Sequence, residues 1–109
     1  MLTVKYRVFQ IKDIENSLYA FRGWRTAKEY FTFSNYKEVY AGTTEVDETD
    51  ENEPYMALEE LFHILNVGAK PKGYKGHSLS VSDIVELDGV LYYVDSFGWI
   101  ELKGASFNA

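Results

Sequence analysis

The chain begins with an alternating run. Across residues 4–11 (VKYRVFQI) the side chains of Val4, Tyr6 and Val8 take every second position, with Lys5 and Arg7 between them. Neighbouring side chains of an extended chain point to opposite faces, so this spacing predicts a half-buried first strand. A short extended piece is expected at residues 18–21, ended by Gly23. In WRTAKEYF, Trp24, Ala27 and Phe31 stand at i, i+3 and i+7, the spacing of a short amphipathic helix. After a turn at residues 34–36, YKEVYAG (36–42) sets Tyr36, Glu38 and Tyr40 against Lys37, Val39 and Ala41. That alternation predicts another strand, with Val39 and Tyr40 implying that both its faces are partly covered.

Residues 43–54 (TTEVDETDENEP) contain six acids and one apolar residue, too little to offset the entropy of ordering, so a solvated acidic loop is expected there. Pro54 suits the first turn of a helix. Beyond it Met56, Leu58, Leu61, Phe62 and Leu65 recur at helical spacing, with Glu59 and Glu60 on the outer side. Asn66 and Gly68 mark the end of this helix, before a Lys and Gly turn at 69–76. In the last third, Asp88 and Gly89 separate two β-branched or aromatic runs at 84–87 and 90–94, a strong hairpin signal. A turn at 96–98 leads into 99–102 and completes a three-stranded meander. The tail at 104–109 is expected to fray. The pattern therefore predicts an α+β fold: one domain over 1–109, mainly antiparallel sheet with a C-terminal meander and two short helices. The helix at 56–65 is expected to lay its apolar side on the meander.

Composition changes the picture in two places. The sequence has no cysteine, which excludes disulfides, a thiolate nucleophile and thiolate metal sites. The start lacks the apolar run of a signal peptide, and no stretch has the roughly 18–20 apolar residues of a membrane span, so a cytoplasmic protein that does not engage membranes is expected. The net charge of −6 is segregated: residues 1–44 carry +3, 45–63 carry −8 and 64–109 carry −1. An acidic chain lacks the clustered cations that release counterions from phosphate backbones, so direct nucleic-acid binding is not expected and a protein partner is.

Candidate chemistry concentrates in GHSLSVSD (76–83). His77, Ser78, Ser80, Ser82 and Asp83 suggest a Ser, His and Asp arrangement, but adjacent residues of an extended segment diverge, and no nucleophile-elbow pattern is present. The alternative use of these side chains is to satisfy backbone groups at a turn. The acids Glu45, Asp47, Glu48, Asp50, Glu51 and Glu53 form a candidate surface, but they lack the Gly of a calcium loop. His63 has no zinc-type partner four residues away. Lys70, Lys72 and Lys75 with Tyr74 do not match a phosphate-binding glycine loop. No catalytic residue, metal site or cofactor is expected.

The blocks GHSLSVSDIV (76–85) and YYVDSFGW (92–99) resemble the YodL-like domain family. YRVFQIK (6–12), YKEVY (36–40) and LEELFHILN (58–66) extend the likeness over nearly the whole chain. The resemblance implies a small domain of bacteria and their mobile elements with no established enzymatic activity. Its signature positions here are Gly76, His77, Ser78, Ser80, Ser82, Asp83, Tyr93, Asp95, Ser96, Phe97 and Gly98. Two functional readings follow. In one, the chain is a noncatalytic interaction module that modulates a host or element protein, with His77, Ser78, Ser80, Ser82, Asp83, Asp95 and Ser96 as candidate binding residues. In the other, it is an acidic mimic of nucleic acid acting on a basic DNA-binding partner. A small enzyme built on His77 is a third, remoter reading.

Overall fold

The computed structural model describes residues 2–46, 53–66 and 70–102. Strand β1 (Leu2–Ile11) is followed by an irregular segment containing the single-turn helix α1 (Trp24–Ala27) and a 3₁₀ turn at Phe33–Asn35. Then come β2 (Tyr36–Val46), α2 (Glu53–Asn66), β3 (Ile84–Leu87), β4 (Val90–Val94) and β5 (Trp99–Glu101). The strands form one sheet in the order β2-β1-β3-β4-β5, every neighbouring pair antiparallel. The α+β class and the C-terminal meander are as the pattern predicts.

The meander follows from local chemistry. Asp88 and Gly89 adopt φ of 49° and 85°, the pair of left-handed conformations that a two-residue hairpin turn of matching twist requires. Gly98 at φ 79° closes the next turn, where the Asp95 N–H donates to the Gly98 carbonyl at 3.0 Å.

Each face of the sheet has its own core. On one face Val4, Tyr6, Val8, Val85, Leu87, Tyr92 and Val94 pack with Ala57, Leu58, Leu61 and Leu65 of α2, which lies over β2 and β3. On the other, Phe9, Ile11, Ile84, Leu91 and Tyr93 pack with Tyr19, Trp24, Ala27 and Phe31 from the segment between β1 and β2. Trp24 meets Tyr93 edge-on at 5.0 Å, a favoured aromatic geometry. Beyond the reach of this layer, Arg7 grips Glu86 with two hydrogen bonds of 2.8 and 2.7 Å and lies 5.0 Å over the Phe9 ring.

Four expectations are corrected. Residues 18–21 are a turn, not a strand: the Ser17 hydroxyl accepts the N–H groups of Tyr19 and Ala20, and Phe21 takes φ 63°. Residues 43–46, expected in the acidic loop, are the end of β2, paired with residues 2–5 of β1, because pairing supplies the backbone partners that composition ignores. Residues 47–52 and 103–109 lie outside the described residues. On α2, Met56 and Phe62 are 56% and 37% exposed while Ala57 is buried, since a helix offers the sheet only one stripe. Finally, both faces of β2 are partly covered as expected, but Val39 and Tyr40 share one face and Tyr36 covers the other. The register slips between Val8 and Phe9, leaving Val39 as an extra residue in β2, and such a bulge turns both side chains to the α2 side.

Candidate functional site

The bulge also builds the site. The carbonyl of Val39 accepts the N–H of Lys75 at 2.9 Å, tying the 70–83 segment to the sheet. Beneath that segment lies Gln10, 1% exposed, in the position where the alternation of β1 calls for an apolar residue. Its amide nitrogen donates to the His77 carbonyl at 2.9 Å and to Asp83 Oδ2 at 3.0 Å, and its oxygen accepts the His77 N–H at 3.1 Å. The Tyr74 hydroxyl donates to the same His77 carbonyl at 2.8 Å. Asp83 Oδ2 accepts a further bond from the Ser80 N–H at 2.8 Å. Gly76 is required by this packing, because a Cβ there would collide with the Gln10 amide.

Asp83 is the one buried acid among the described residues, with 1% exposure. Burial pushes its carboxyl up to about 8, against the opposing pull of hydrogen bonds from the Ser80 backbone and Gln10. Burial likewise raises the phenols of Tyr36, Tyr74 and Tyr93 above their usual range.

A second group of side chains reaches across the sheet end to the segment before α1. The Ser82 hydroxyl accepts the Phe21 N–H at 2.9 Å. The Tyr93 hydroxyl donates to the Arg22 carbonyl at 2.7 Å. Asp95 Oδ1 accepts the N–H groups of Trp24 at 2.9 Å and Ser96 at 2.8 Å. Gly23 passes so close that an added Cβ would lie 2.7 Å from Asp95 Oδ1 and from the Ser96 hydroxyl. Tyr36 completes the set, donating to the Ser82 carbonyl at 2.7 Å.

The sequence-derived site residues thus divide. The backbone of His77 and the carboxylate of Asp83 converge on Gln10, with the Ser80 N–H on Asp83, whereas Ser82, Asp95 and Ser96 serve the 21–24 segment. Ser78 is exposed, and its carbonyl accepts the Ser80 hydroxyl and His77 Nδ1, both within 2.8 Å. A carbonyl can only accept, so Nδ1 is the donor in this contact. Among the described residues no Ser hydroxyl reaches the His77 ring, and no group of His, Asp and Glu has the arrangement to hold a metal ion. Glu45 is exposed at the end of β2 and Glu53 opens α2, while Asp47, Glu48, Asp50 and Glu51 lie outside the described residues. His63 is exposed on α2.

Reading the sequence missed Gln10, and it weighed Tyr74 only with the neighbouring lysines, not as part of this cluster. The available signal was Gln10 itself, a neutral polar residue interrupting an apolar strand. Also missed was Phe21, whose half-exposed ring stands 5.6 Å from that of His77.

A two-faced antiparallel sheet whose C-terminal polar block fastens an irregular N-terminal layer defines the class, a small α+β domain. The chain belongs to the YodL-like domain family, whose model matches residues 5–104. No curated protein and no solved structure matches it. No described helix is long and apolar enough to cross a membrane.

Proposed function

We propose that the domain is a noncatalytic protein-binding module and that the polar block is the mount for its recognition segment, residues 21–30. One observation carries this reading: three side chains of the block, Ser82, Tyr93 and Asp95, are each spent on the backbone of Phe21, Arg22 or Trp24. What they hold is costly to hold. Phe21 is a bulky residue at φ 63°, in a conformation that L-residues avoid, and it keeps half its surface in water. Such strain persists where surroundings over-determine it, commonly at ligand-binding positions.

The same segment carries Arg22, Arg25 and Lys28, all exposed, and a half-exposed Tyr30. Among the described residues the ion pairs are those of Arg7 with Glu38 and Glu86, so these three cations form none, and with Glu29 the segment carries a net +2. Aromatic and arginine side chains are the usual anchors of protein interfaces, and unpaired cations favour an acidic protein surface. In the bacterial and mobile-element setting implied by the family resemblance, the target is a host or element protein.

The test is to identify by mass spectrometry the protein captured by the immobilised domain, then titrate it purified against Phe21→Gly and Arg22→Ala/Arg25→Ala. Each variant is expected to keep its fold and lose affinity by about tenfold or more, as removal of an anchor does. Affinity of both variants equal to that of the unsubstituted domain would refute the assignment.

A further inference from the structure

A second place on the surface has the makings of a site; it lies against α2 and shares Asp95 and Ser96 with the mount of the 21–24 segment. Between α2 and the turn joining β4 to β5 lies an open cavity of about 220 Å³, lined by Glu59, Phe62, Val81, Asp95, Ser96 and Trp99 among others. Its aromatic wall is preformed: Phe62 and Trp99 stand edge to face with centroids 6.3 Å apart. The indole N–H of Trp99 donates to Glu59 Oε1 at 2.9 Å, which fixes both the ring and the carboxylate.

The charge of this cavity is of one sign. Its lining includes two carboxylates and no Lys or Arg, and neither Glu59 nor Asp95 has an ion pair among the described residues. Each carboxylate commits one oxygen, Glu59 Oε1 to Trp99 and Asp95 Oδ1 to the Trp24 and Ser96 amides, so each has a second oxygen to offer. Glu101, two residues beyond Trp99 on the same face of β5, and the exposed Glu60 add negative field, neither having an ion pair among the described residues. Size narrows the occupant further: ligand pockets usually measure roughly 300–1,000 Å³, so this one suits a single side chain.

We propose that this cavity takes one arginine side chain of a partner protein, its guanidinium against the Trp99 ring and paired with Glu59 and Asp95. Arginine matches all three features at once. Its planar guanidinium stacks on aromatic faces, is weakly hydrated and presents forked donors to carboxylates, whereas the lysine ammonium is a strongly hydrated point charge. Phe97, 95% exposed at the tip of the adjoining turn, supplies an apolar contact for the residues flanking that arginine.

The experiment is an NMR titration of the ¹⁵N-labelled domain with N-acetyl-arginine amide at constant ionic strength, read at the Trp99 indole N–H. The Trp24 indole, packed on the other face, is the internal reference. A saturable shift confined to Trp99 is expected, with N-acetyl-lysine amide binding more weakly and N-acetyl-leucine amide not at all. Glu59→Gln retains an acceptor for the indole and sits on an exposed helix position, so it should fold and weaken binding about fivefold or more through loss of the charge alone. Absence of a saturable Trp99 shift would overturn the proposal. So would an equal response to the leucine or lysine compound, or an affinity unchanged by Glu59→Gln.

Discussion

The two faces of the sheet are covered by different means. On one, α2 buries a single regular stripe, Ala57, Leu58, Leu61 and Leu65, against the strands, and the hydrophobic effect supplies most of the contact, with hydrogen bonds at its edges from Trp99 to Glu59 and from Asn66 to the Leu79 carbonyl. On the other, residues 12–35 contain one turn of α-helix and a 3₁₀ turn, and their cover is held by directional bonds from Ser82, Tyr93 and Asp95. A regular element satisfies its own backbone and needs only burial, whereas an irregular one has backbone groups to satisfy and must borrow side chains. This difference explains why the polar residues of the C-terminal block crowd around one end of the sheet.

The comparison can be broken most forcefully at α2. Leu61 is 1% exposed, so Leu61→Ala should leave a cavity and cost about 2–5 kcal/mol, read as a lower midpoint in urea with the whole domain unfolding together. Next in size is Gly76→Ala, which drives a methyl group into the Gln10 amide and the Val39 side chain. A loss of about 1–3 kcal/mol is expected, and an unchanged midpoint would show that Gln10 does not hold the 70–83 segment.

Asp83 gives the polar side a signature in pH. Its carboxyl rises from the ordinary 3.8 to about 8 on folding, so the folded chain retains a proton that the unfolded chain releases. The contribution is fully present below 3.8, declines as pH rises and is gone above about 8. Thermal midpoints should therefore fall across that window, and Asp83→Asn, which does not titrate, should flatten the slope. The smallest effect belongs to Phe21→Gly. It relieves the φ 63° strain but removes a half-buried ring, so stability should change by less than about 1 kcal/mol in either direction while partner affinity drops.

What the sequence made legible follows the same division. The β3–β4 hairpin was readable because Asp88 and Gly89 meet a demand internal to two residues, and α2 because its period repeats over three turns. Met56 and Phe62 were assigned to its buried stripe since spacing cannot reveal how wide a face the sheet will accept. Residues 18–21 were misread because the turn there depends partly on Ser82, some 61 positions away, and no local pattern carries such a bond. Val39 and Tyr40 were misread because a bulge is a register event between two strands. The candidate block was found by residue type, but its role was not: a buried Asp83 and an exposed Ser78 look alike in sequence, and only the course of β1 places Gln10 under the former.

The most direct test of the central claim, that the polar block holds the Phe21 segment in place, is amide hydrogen exchange in Ser82→Ala. Alanine shares the cost that serine bears at φ 85°, so the substitution isolates the hydroxyl. The Phe21 N–H should then exchange about tenfold faster, the worth of one hydrogen bond, while the amides of α2 keep their protection. Unchanged exchange at Phe21, or an equal loss across α2, would contradict the account.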